Sequence, residues 1–271
     1  MTQIDTNTRS LGQKVELLVF LLDGSGSMGN EKDGAKNTYD GRTKSEHLFD
    51  IAKESLFELS RSDRSPVFRV SIVYFAGEAT TEEVEISGQK TKYFYIDSAL
   101  SAIKNPFSVA SGNGTSIIKA IDAVEQVLDL FQADIGLPSH KSVTIFLFTD
   151  GQENNLINNL VDDSVNQKER CRNRVNTLRA HATCPTIATI SLGTDADEEL
   201  LKDIASPPNP NQIRHLDMAG VLGELLDQQK LFLRGNAQGL LTEKSAMAIR
   251  RFVDTLSTTS DQQTATKQEK I

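Results

Sequence analysis

A carboxylate and two hydroxyl groups follow directly on an apolar segment near the start of the chain. The six apolar residues Leu17–Leu22 run without a break into Asp23-Gly24-Ser25-Gly26-Ser27. Such an apolar run, ended by a carboxylate, predicts a strand that is buried on both faces of a sheet. The glycines favour a tight turn, which would bring oxygens of Asp23, Ser25 and Ser27 to one point. Because Mg²⁺ and other hard divalent cations prefer oxygen ligands, the motif predicts a metal site.

Two further motifs follow, each at the start or the end of a predicted element. Gly112-Asn113-Gly114-Thr115 comes directly before an amphipathic helix, and the apolar strand Val143–Phe148 ends in Thr149-Asp150-Gly151. With the first motif, they resemble an intact metal-ion-dependent adhesion site (MIDAS) of the von Willebrand factor type A (vWA) domain family. The resemblance extends from about Val15 to the region of Asp227, and it is to bacterial-type cytosolic members of the family.

The resemblance implies a role for each residue of the three motifs. Ser25 and Ser27 would ligate a divalent cation, Mg²⁺ or Mn²⁺, through their hydroxyl groups. Asp23 and Asp150 would act directly or through bound waters, and Thr115 would ligate in at least one conformational state. Neutral hydroxyls and a carboxylate held off by water leave such a cation electrophilic. It would therefore accept one more anionic ligand from another molecule.

Strand and helix patterns alternate along the chain. This order predicts an α/β fold with a doubly wound, mostly parallel, Rossmann-like sheet, one antiparallel edge strand and helices on both faces. That is the vWA fold, here with a C-terminal helical extension. The predicted strands are Val15–Leu22, Phe68–Phe75, an edge hairpin of Glu78–Ile86 and Thr91–Ile96 that turns at Ser87-Gly88, Lys141–Phe148, Pro185–Leu192 and Ile213–Leu216.

The predicted helices carry apolar residues at helical spacing. They are Ser45–Ser60 with the face Leu48, Ile51, Ala52, Phe57 and Leu59, a long helix with the stripe Ile117, Ile121, Val124, Leu128 and Phe131, and then Val161–Ala182, Asp197–Ala205 and Met218–Gln229.

The chain divides into four predicted segments. These are an N-terminal tail (residues 1–14), the vWA domain (15–228), a C-terminal helical extension (229–256) and a disordered polar tail (257–271). The extension contains an amphipathic helix, Thr242–Leu256, which we expect to pack on its own domain. The polar insertion Gly29–Arg42 supplies no core residues, so we expect it to be mobile at the rim of the metal site and to influence partner choice.

The charge balance of the chain is acidic, with 29 Lys and Arg against 37 Asp and Glu and a pI near 5.1. This balance argues against nucleic acid or an anionic membrane as the main partner. Residues Met1–Lys14 lack the apolar centre of a signal peptide, and no apolar segment has the length of a membrane span. We expect a cytoplasmic protein in which Cys171 and Cys184 are reduced.

Other interpretations of the first motif are open. Gly24-x-Gly26-x-x-Gly29 matches a dinucleotide-binding fingerprint, but a polar segment follows Gly29 and Asp23 would face the pyrophosphate. A phosphohydrolase with Asp23 as nucleophile is the main enzymatic alternative, although haloacid-dehalogenase-type phosphatases would have a second Asp where Ser25 stands. A turn that binds no metal is a third. A serine nucleophile lacks a base in the motifs, because the histidines lie elsewhere, at His47, His140, His181 and His215.

We expect a non-catalytic binding module, in which the bound cation docks a Glu or Asp side chain of a partner protein. The resemblance implies an adaptor in a cytosolic multi-protein system, acting with a MoxR-like AAA+ ATPase or in a kinase- and phosphatase-linked stress or defence system. The alternative is a metal-dependent phosphohydrolase that uses Asp23. Phosphate-ester turnover that is abolished by Asp23→Ala would favour the enzyme.

Overall fold

The computed structural model describes residues 14–29, 38–39, 42–112, 114–149, 153, 164–192 and 197–206. The strands in these ranges are β1 (Lys14–Asp23), β2 (Thr38–Tyr39), β3 (Arg42–Thr43), β4 (Phe68–Phe75), β5 (Ala79–Thr81), β6 (Val84–Ile86), β7 (Gln89–Thr91), β8 (His140–Thr149) and β9 (Thr186–Ser191). The α-helices are α1 (Gly26–Gly29), α2 (Lys44–Ser60), α3 (Ile96–Ala102), α4 (Pro106–Val109), α5 (Ile117–Ala133), α6 (Ser164–Arg179) and α7 (Glu198–Ile204).

The main sheet has the strand order β5-β4-β1-β8-β9. β1 pairs in parallel with both β4 and β8, and β8 pairs in parallel with β9. β5 pairs antiparallel with β4 at one end of this order. The first described strand, β1, therefore lies in the middle of this sheet, and the later strands are added outward on both sides of it. This confirms the predicted α/β fold with its mostly parallel sheet, one antiparallel strand and surrounding helices.

Both faces of β1 are buried, as its apolar run predicts. Nine of its ten residues are buried. Leu18 and Phe20 belong to one core cluster, which they share with side chains of α2 and α3, whereas Leu17 and Val19 belong to a second cluster with side chains of α5 and α6. Each fully buried large apolar side chain stabilises the fold by roughly 1.5–3 kcal/mol. Packing on both faces therefore holds the carboxyl end of β1, where Asp23 lies, in a fixed position.

The two long helices that flank β1 follow their sequence patterns. α2 begins with a reciprocal capping box, in which Thr43 Oγ1 accepts from Glu46 N at 3.2 Å and Glu46 Oε2 accepts from Thr43 N at 2.7 Å. On α5, the predicted apolar stripe is confirmed, since each member is at most 1% exposed: Ile117, Ile121, Val124, Leu128 and Phe131.

The prediction for the apolar face of α2 is wrong at one position. Phe57 is 46% exposed, whereas Leu56 is fully buried. On a helix, the residues three, four, eight and eleven positions after Leu48 lie on the same face as Leu48. These residues are Ile51, Ala52, Leu56 and Leu59. Phe57 lies one residue out of this phase, and the guanidinium of Arg61 lies 5.6 Å from its ring centroid.

The edge of the sheet after β4 also differs from the prediction. The predicted hairpin of Glu78–Ile86 and Thr91–Ile96 is shorter, since only β6 and β7 form it, and β5 alone joins the main sheet. Its turn is correctly predicted at Ser87-Gly88, where φ is +53° and +80°. Beyond the hairpin, Phe94 is buried and bridges to β4, and Ile96 begins α3, a helix that the sequence analysis missed.

Several predicted segments lie outside the described residues. They are residues 1–13, most of the insertion at 29–42, the strand Ile213–Leu216, the helix Met218–Gln229, the extension 229–256 and the tail 257–271, so the predicted domain boundaries stay predictions. Within the insertion, β2 pairs antiparallel with β3. In the part of the chain that the structure describes, no helix is long and apolar enough to cross a membrane.

Candidate metal centre

The Asp23 carboxylate lies at the carboxyl end of β1 and is fully buried. Its Oδ1 accepts a hydrogen bond from the backbone N–H of Ser25 at 2.8 Å. Its Oδ2 accepts a hydrogen bond from the hydroxyl of Thr149, at the end of the neighbouring strand β8, at 2.5 Å. The carboxylate is thus held between its own loop and the next strand. A carboxylate oxygen can in general accept from more than one partner.

Two glycines here, Gly24 and Gly29, are required by the close approach of α4. The N–H of Gly24 donates to the carbonyl of Phe75 at 2.7 Å, which continues the pairing of β1 with β4 past Asp23. A Cβ atom on Gly24 would lie only 2.4 Å from the carbonyl oxygen of Pro106, and one on Gly29 would lie 2.3 Å from the ring of Phe107. Neither position can therefore carry a side chain without displacing the loop.

The hydroxyl groups of Ser25 and Ser27 lie side by side at the start of α1. Their Oγ atoms are 3.1 Å apart, and the carbonyl of Ser25 accepts from the N–H of Met28 at 2.9 Å to close the helical turn. An octahedral Mg²⁺ ion with bonds of about 2.1 Å has neighbouring ligand oxygens about 3 Å apart. The spacing of the two hydroxyl oxygens matches that of neighbouring ligands in this shell.

The loop that carries Thr115 runs directly beside the Ser25 loop. Ser25 and Gly112 form a parallel β-bridge, in which the N–H of Gly26 donates to the carbonyl of Gly112 at 3.1 Å. Gly114 then turns the chain with a φ of +91°, a conformation that glycine adopts without strain. Thr115 follows at 5% exposure, just before α5 begins. The bridge therefore places the second motif against the first.

A second buried carboxylate, that of Glu153, lies at the start of α5. Its Oε2 accepts from the N–H of Ile117 at 2.6 Å, and its Oε1 accepts from the hydroxyl of Ser116 at 3.4 Å. Burial raises the pKa of Glu153 from 4.5 to about 7, while the amides of Ile117 and Ile118, the Ser116 hydroxyl and the charge of Arg170 act in the opposite direction. Desolvation therefore outweighs the hydrogen bonds that favour its charged form.

The sequence analysis missed Glu153 as a functional residue. Its partners lie 36 and 37 residues earlier in the chain, so no local pattern indicates the contact. The available signal was a carboxylate three residues after Asp150, close to the predicted end of a buried strand.

A sequence model of the von Willebrand factor type A domain matches residues 18–228, most of the chain. This protein belongs to the vWA family. The matched range contains all three motifs. vWA domains that have a MIDAS bind divalent metal there and often act in protein interactions.

Solved structures were also found that are similar to this chain at low sequence identity. The pilus adhesin SpaC from Lactobacillus rhamnosus GG is 12% identical, with a TM-score of 0.51 over 90% of this chain and 31% of the adhesin. Proximal thread matrix protein 1 of the mussel byssus, in a structure with a zinc-occupied MIDAS motif, is 18% identical, with a TM-score of 0.47 over 80% of this chain and 47% of that protein. BatB from Bacteroides thetaiotaomicron is 16% identical, with a TM-score of 0.42 over 78% of this chain and 99% of BatB. This chain thus spans less than half the length of the mussel protein. A comparison with curated protein sequences finds no match.

Four of the five predicted MIDAS ligands of this vWA domain lie in the described residues. Hydrogen bonds bring Asp23, Ser25 and Ser27 together, and the bridge at Gly112 brings the loop of Thr115 beside them. The fifth, Asp150, lies outside the described residues. The role of all five as ligands stays a prediction, and the described geometry is compatible with it.

The predicted metal donors that the structure describes are hard oxygen atoms. Two of them are neutral hydroxyls, and Asp23 is the carboxylate held beside them. Among the described residues, no group of three or more His, Cys, Asp or Glu side chains is placed to hold a metal ion. Hydroxyl oxygens suit a hard cation better than a soft one.

Proposed function

We propose that this vWA domain is a non-catalytic, metal-dependent protein-binding module, in which a divalent cation at the Asp23 loop accepts a Glu or Asp side chain of a partner protein. The observation that carries the proposal is the double engagement of the Asp23 carboxylate, by Ser25 N at 2.8 Å and by Thr149 Oγ1 at 2.5 Å. Because each oxygen already accepts a hydrogen bond, less negative charge is available to a cation. Such a cation retains affinity for an additional anionic ligand.

The proposed cation is Mg²⁺ or Mn²⁺. Ser25 and Ser27 would hold it through their hydroxyls, with Asp23, Thr115 and Asp150 as the other contributors. When bound, the cation supplies an electrophilic coordination position for a carboxylate. Zinc occupies the MIDAS motif in the mussel protein. In this chain, the hydroxyl donors favour the harder ions, so we expect Zn²⁺ to bind no better than it does at a surface site.

The fixed position of Asp23 also supports a non-catalytic role over phosphohydrolysis. A nucleophilic carboxylate must present an oxygen lone pair to its substrate, and hydrogen bonds to that oxygen lower its reactivity. Asp23 is fully buried, and donors from two different segments hold both of its oxygens. This environment suits an electrostatic and structural role better than attack on a phosphate ester.

We propose an adaptor role for this module in a multi-protein system. A MoxR-like AAA+ ATPase, or a component of a kinase- and phosphatase-linked stress or defence system, is the class of partner that the family resemblance supports. The recognition element on the partner would be an exposed Glu or Asp at a position where it can approach the Asp23 loop.

Affinity capture tests the proposal with three forms of the full chain. The wild type, Asp23→Ala/Ser25→Ala and the matched control Ser101→Ala are immobilised and exposed to a lysate of the source organism, with Mg²⁺ and then with EDTA. Ser101 is a suitable control because its hydroxyl donates only to the carbonyl one turn earlier on the exposed side of α3, at 3.1 Å from the carbonyl oxygen of Asp97.

We expect a partner that the wild type and Ser101→Ala retain in Mg²⁺, and that EDTA and the double variant both release. Changing one acidic residue of that partner to its amide should then abolish capture. Retention of every partner in EDTA would contradict the proposal. Metal-dependent turnover of phosphate esters that Asp23→Ala abolishes would replace it with the hydrolase.

A further inference from the structure

Glu153 has no place among the predicted metal ligands, yet it is 5% exposed and its contacts reach the metal site. Its carboxylate binds the first turn of α5 through Ile117 N at 2.6 Å and Ser116 Oγ at 3.4 Å. Ser116 directly follows Thr115 in the chain. The carboxylate thus contacts the backbone beside one predicted ligand.

The other end of this connection is the carboxyl end of β8. Glu153 is four residues after Thr149, the last residue of β8, and the hydroxyl of Thr149 donates to the Asp23 carboxylate at 2.5 Å. The hydrogen bonds of Glu153 therefore connect the start of α5, beside Thr115, with the strand that holds Asp23.

Glu153 and the N-cap residue Ser116 bind different groups at the start of α5. The hydroxyl of Ser116 accepts from the N–H of Lys119 at 3.3 Å, whereas Glu153 accepts from the N–H of Ile117 and from the Ser116 hydroxyl itself. The raised pKa of Glu153 shows that burial costs its charged form more than the hydrogen bonds return. A residue that violates the rule against buried charge is expected at a functional site more than in a scaffold.

We propose that Glu153 is a positioning residue that holds the Thr115 loop at the spacing from the Asp23 loop that a divalent cation requires. It acts through Ser116 and Ile117 and does not itself ligate the metal. The inference rests on the proposed metal-binding function of the same site. It adds a residue outside the three motifs to the groups that set metal affinity.

The test measures Mn²⁺ affinity by calorimetry on the full chain, for wild type, Glu153→Ala and Glu153→Gln. The matched control is Lys141→Met. Lys141 lies in β8, and its side chain contacts the C-terminal end of α5, opposite to the end that Glu153 contacts. Lys141 Nζ donates to the carbonyls of Phe131, Gln132 and Asp134 at 2.8, 2.9 and 2.8 Å. Its loss removes a comparable set of helix-end hydrogen bonds about 25 Å from the metal site, since α5 has 17 residues.

Glu153→Ala is expected to weaken Mn²⁺ binding about tenfold or more, and Lys141→Met to leave it within about twofold, even where both lower the melting temperature. Glu153→Gln, whose carbonyl oxygen can still accept from Ile117 N, should retain affinity between those of wild type and Glu153→Ala. Should Glu153→Ala not fold, Glu153→Leu replaces it in every comparison, because leucine fills the buried space without an acceptor.

A double-mutant cycle separates positioning from general destabilisation. If Glu153 acts through the Thr115 loop, Thr115→Ala should weaken Mn²⁺ binding by a much smaller factor in Glu153→Ala than in wild type, because neighbouring residues that act together are not additive. Wild-type affinity in Glu153→Ala, or fully multiplicative losses in the cycle, would overturn the positioning role while leaving the metal function intact. A wild-type chain that binds no Mn²⁺ would overturn both.

Discussion

The pair of substitutions Gly24→Ala and Gly26→Ala tests how closely the first motif is fitted to its surroundings. Both add a single methyl group to the same loop, on either side of Ser25. A Cβ on Gly24 would lie 2.4 Å from the carbonyl oxygen of Pro106 and 2.7 Å from its carbonyl carbon. A Cβ on Gly26 would meet its nearest atom, the carbonyl oxygen of Gly112, at 3.6 Å, an ordinary contact.

The expected magnitudes follow from these distances. Favourable non-bonded contacts begin at about 3.5 Å, so the Gly24 loop or the first turn of α4 must shift by about 1 Å. The obstacle is backbone and cannot rotate away, so we expect a cost at the upper end of overpacking effects, about 2–3 kcal/mol. For a domain of this size, that corresponds to a fall in melting temperature of roughly 5–10 °C. Gly26→Ala should change the free energy of unfolding by less than about 0.5 kcal/mol.

Thermal unfolding followed by circular dichroism measures the stability, and Mn²⁺ calorimetry measures the site. Metal–ligand distances tolerate deviations of only about 0.2 Å, so the displaced loop of Gly24→Ala should bind Mn²⁺ at least about tenfold more weakly. Gly26→Ala should bind it as the wild type does. Equal melting temperatures and equal affinities for Gly24→Ala and wild type would refute the reasoning, because they would show that α4 does not confine the loop.

Three other predictions concern titration, hydrogen bonding and thiol chemistry. Because burial raises the pKa of Glu153 from 4.5 to about 7, its contribution to the stability of the metal-free chain is fully present below pH 4.5 and is lost as the pH rises to about 7. The free energy of unfolding in urea with EDTA should fall by up to about 3 kcal/mol over that range, and Glu153→Gln should remove this dependence. Thr149→Val removes the buried hydrogen bond to Asp23 Oδ2 and should lower the free energy of unfolding by about 1–3 kcal/mol in the same urea assay. An unchanged midpoint of urea unfolding would contradict this. A thiol reagent should label the exposed Cys184 of the folded chain quickly and the buried Cys171, whose thiol pKa is raised by burial, only on unfolding; fast labelling of Cys184→Ser would contradict this.

Local patterns predicted the elements that position the site. The apolar run before Asp23 predicts a strand buried on both faces, because a strand with one face in solvent would alternate apolar and polar residues. The stripe from Ile117 to Phe131 predicts α5, because its spacing brings all its members to one face. The order of the motifs along the chain then indicates which loops meet at the carboxyl edge of the sheet.

Features that depend on distant contacts were not predictable from the sequence. Phe57 is an exception, because the helical spacing from Leu48 to Leu56 and Leu59 already excludes it from the apolar face. Ile96 begins a helix after Phe94, whose bridge to β4 comes from another part of the chain. Glu153 binds the start of α5 across 36 residues, and nothing in its own segment distinguishes it from a surface glutamate.

Binding of Mn²⁺ to the full chain by isothermal titration calorimetry tests the central claim most directly, with Asp23→Ala as the variant and Ser101→Ala as the control. The wild type and Ser101→Ala should each bind about one Mn²⁺ per chain, while Asp23→Ala keeps its far-ultraviolet circular dichroism and loses at least about a hundredfold in affinity, since a ligand and the anchor of the loop are removed together. An Asp23→Ala chain that is folded and binds Mn²⁺ like the wild type would contradict a metal site at the end of β1.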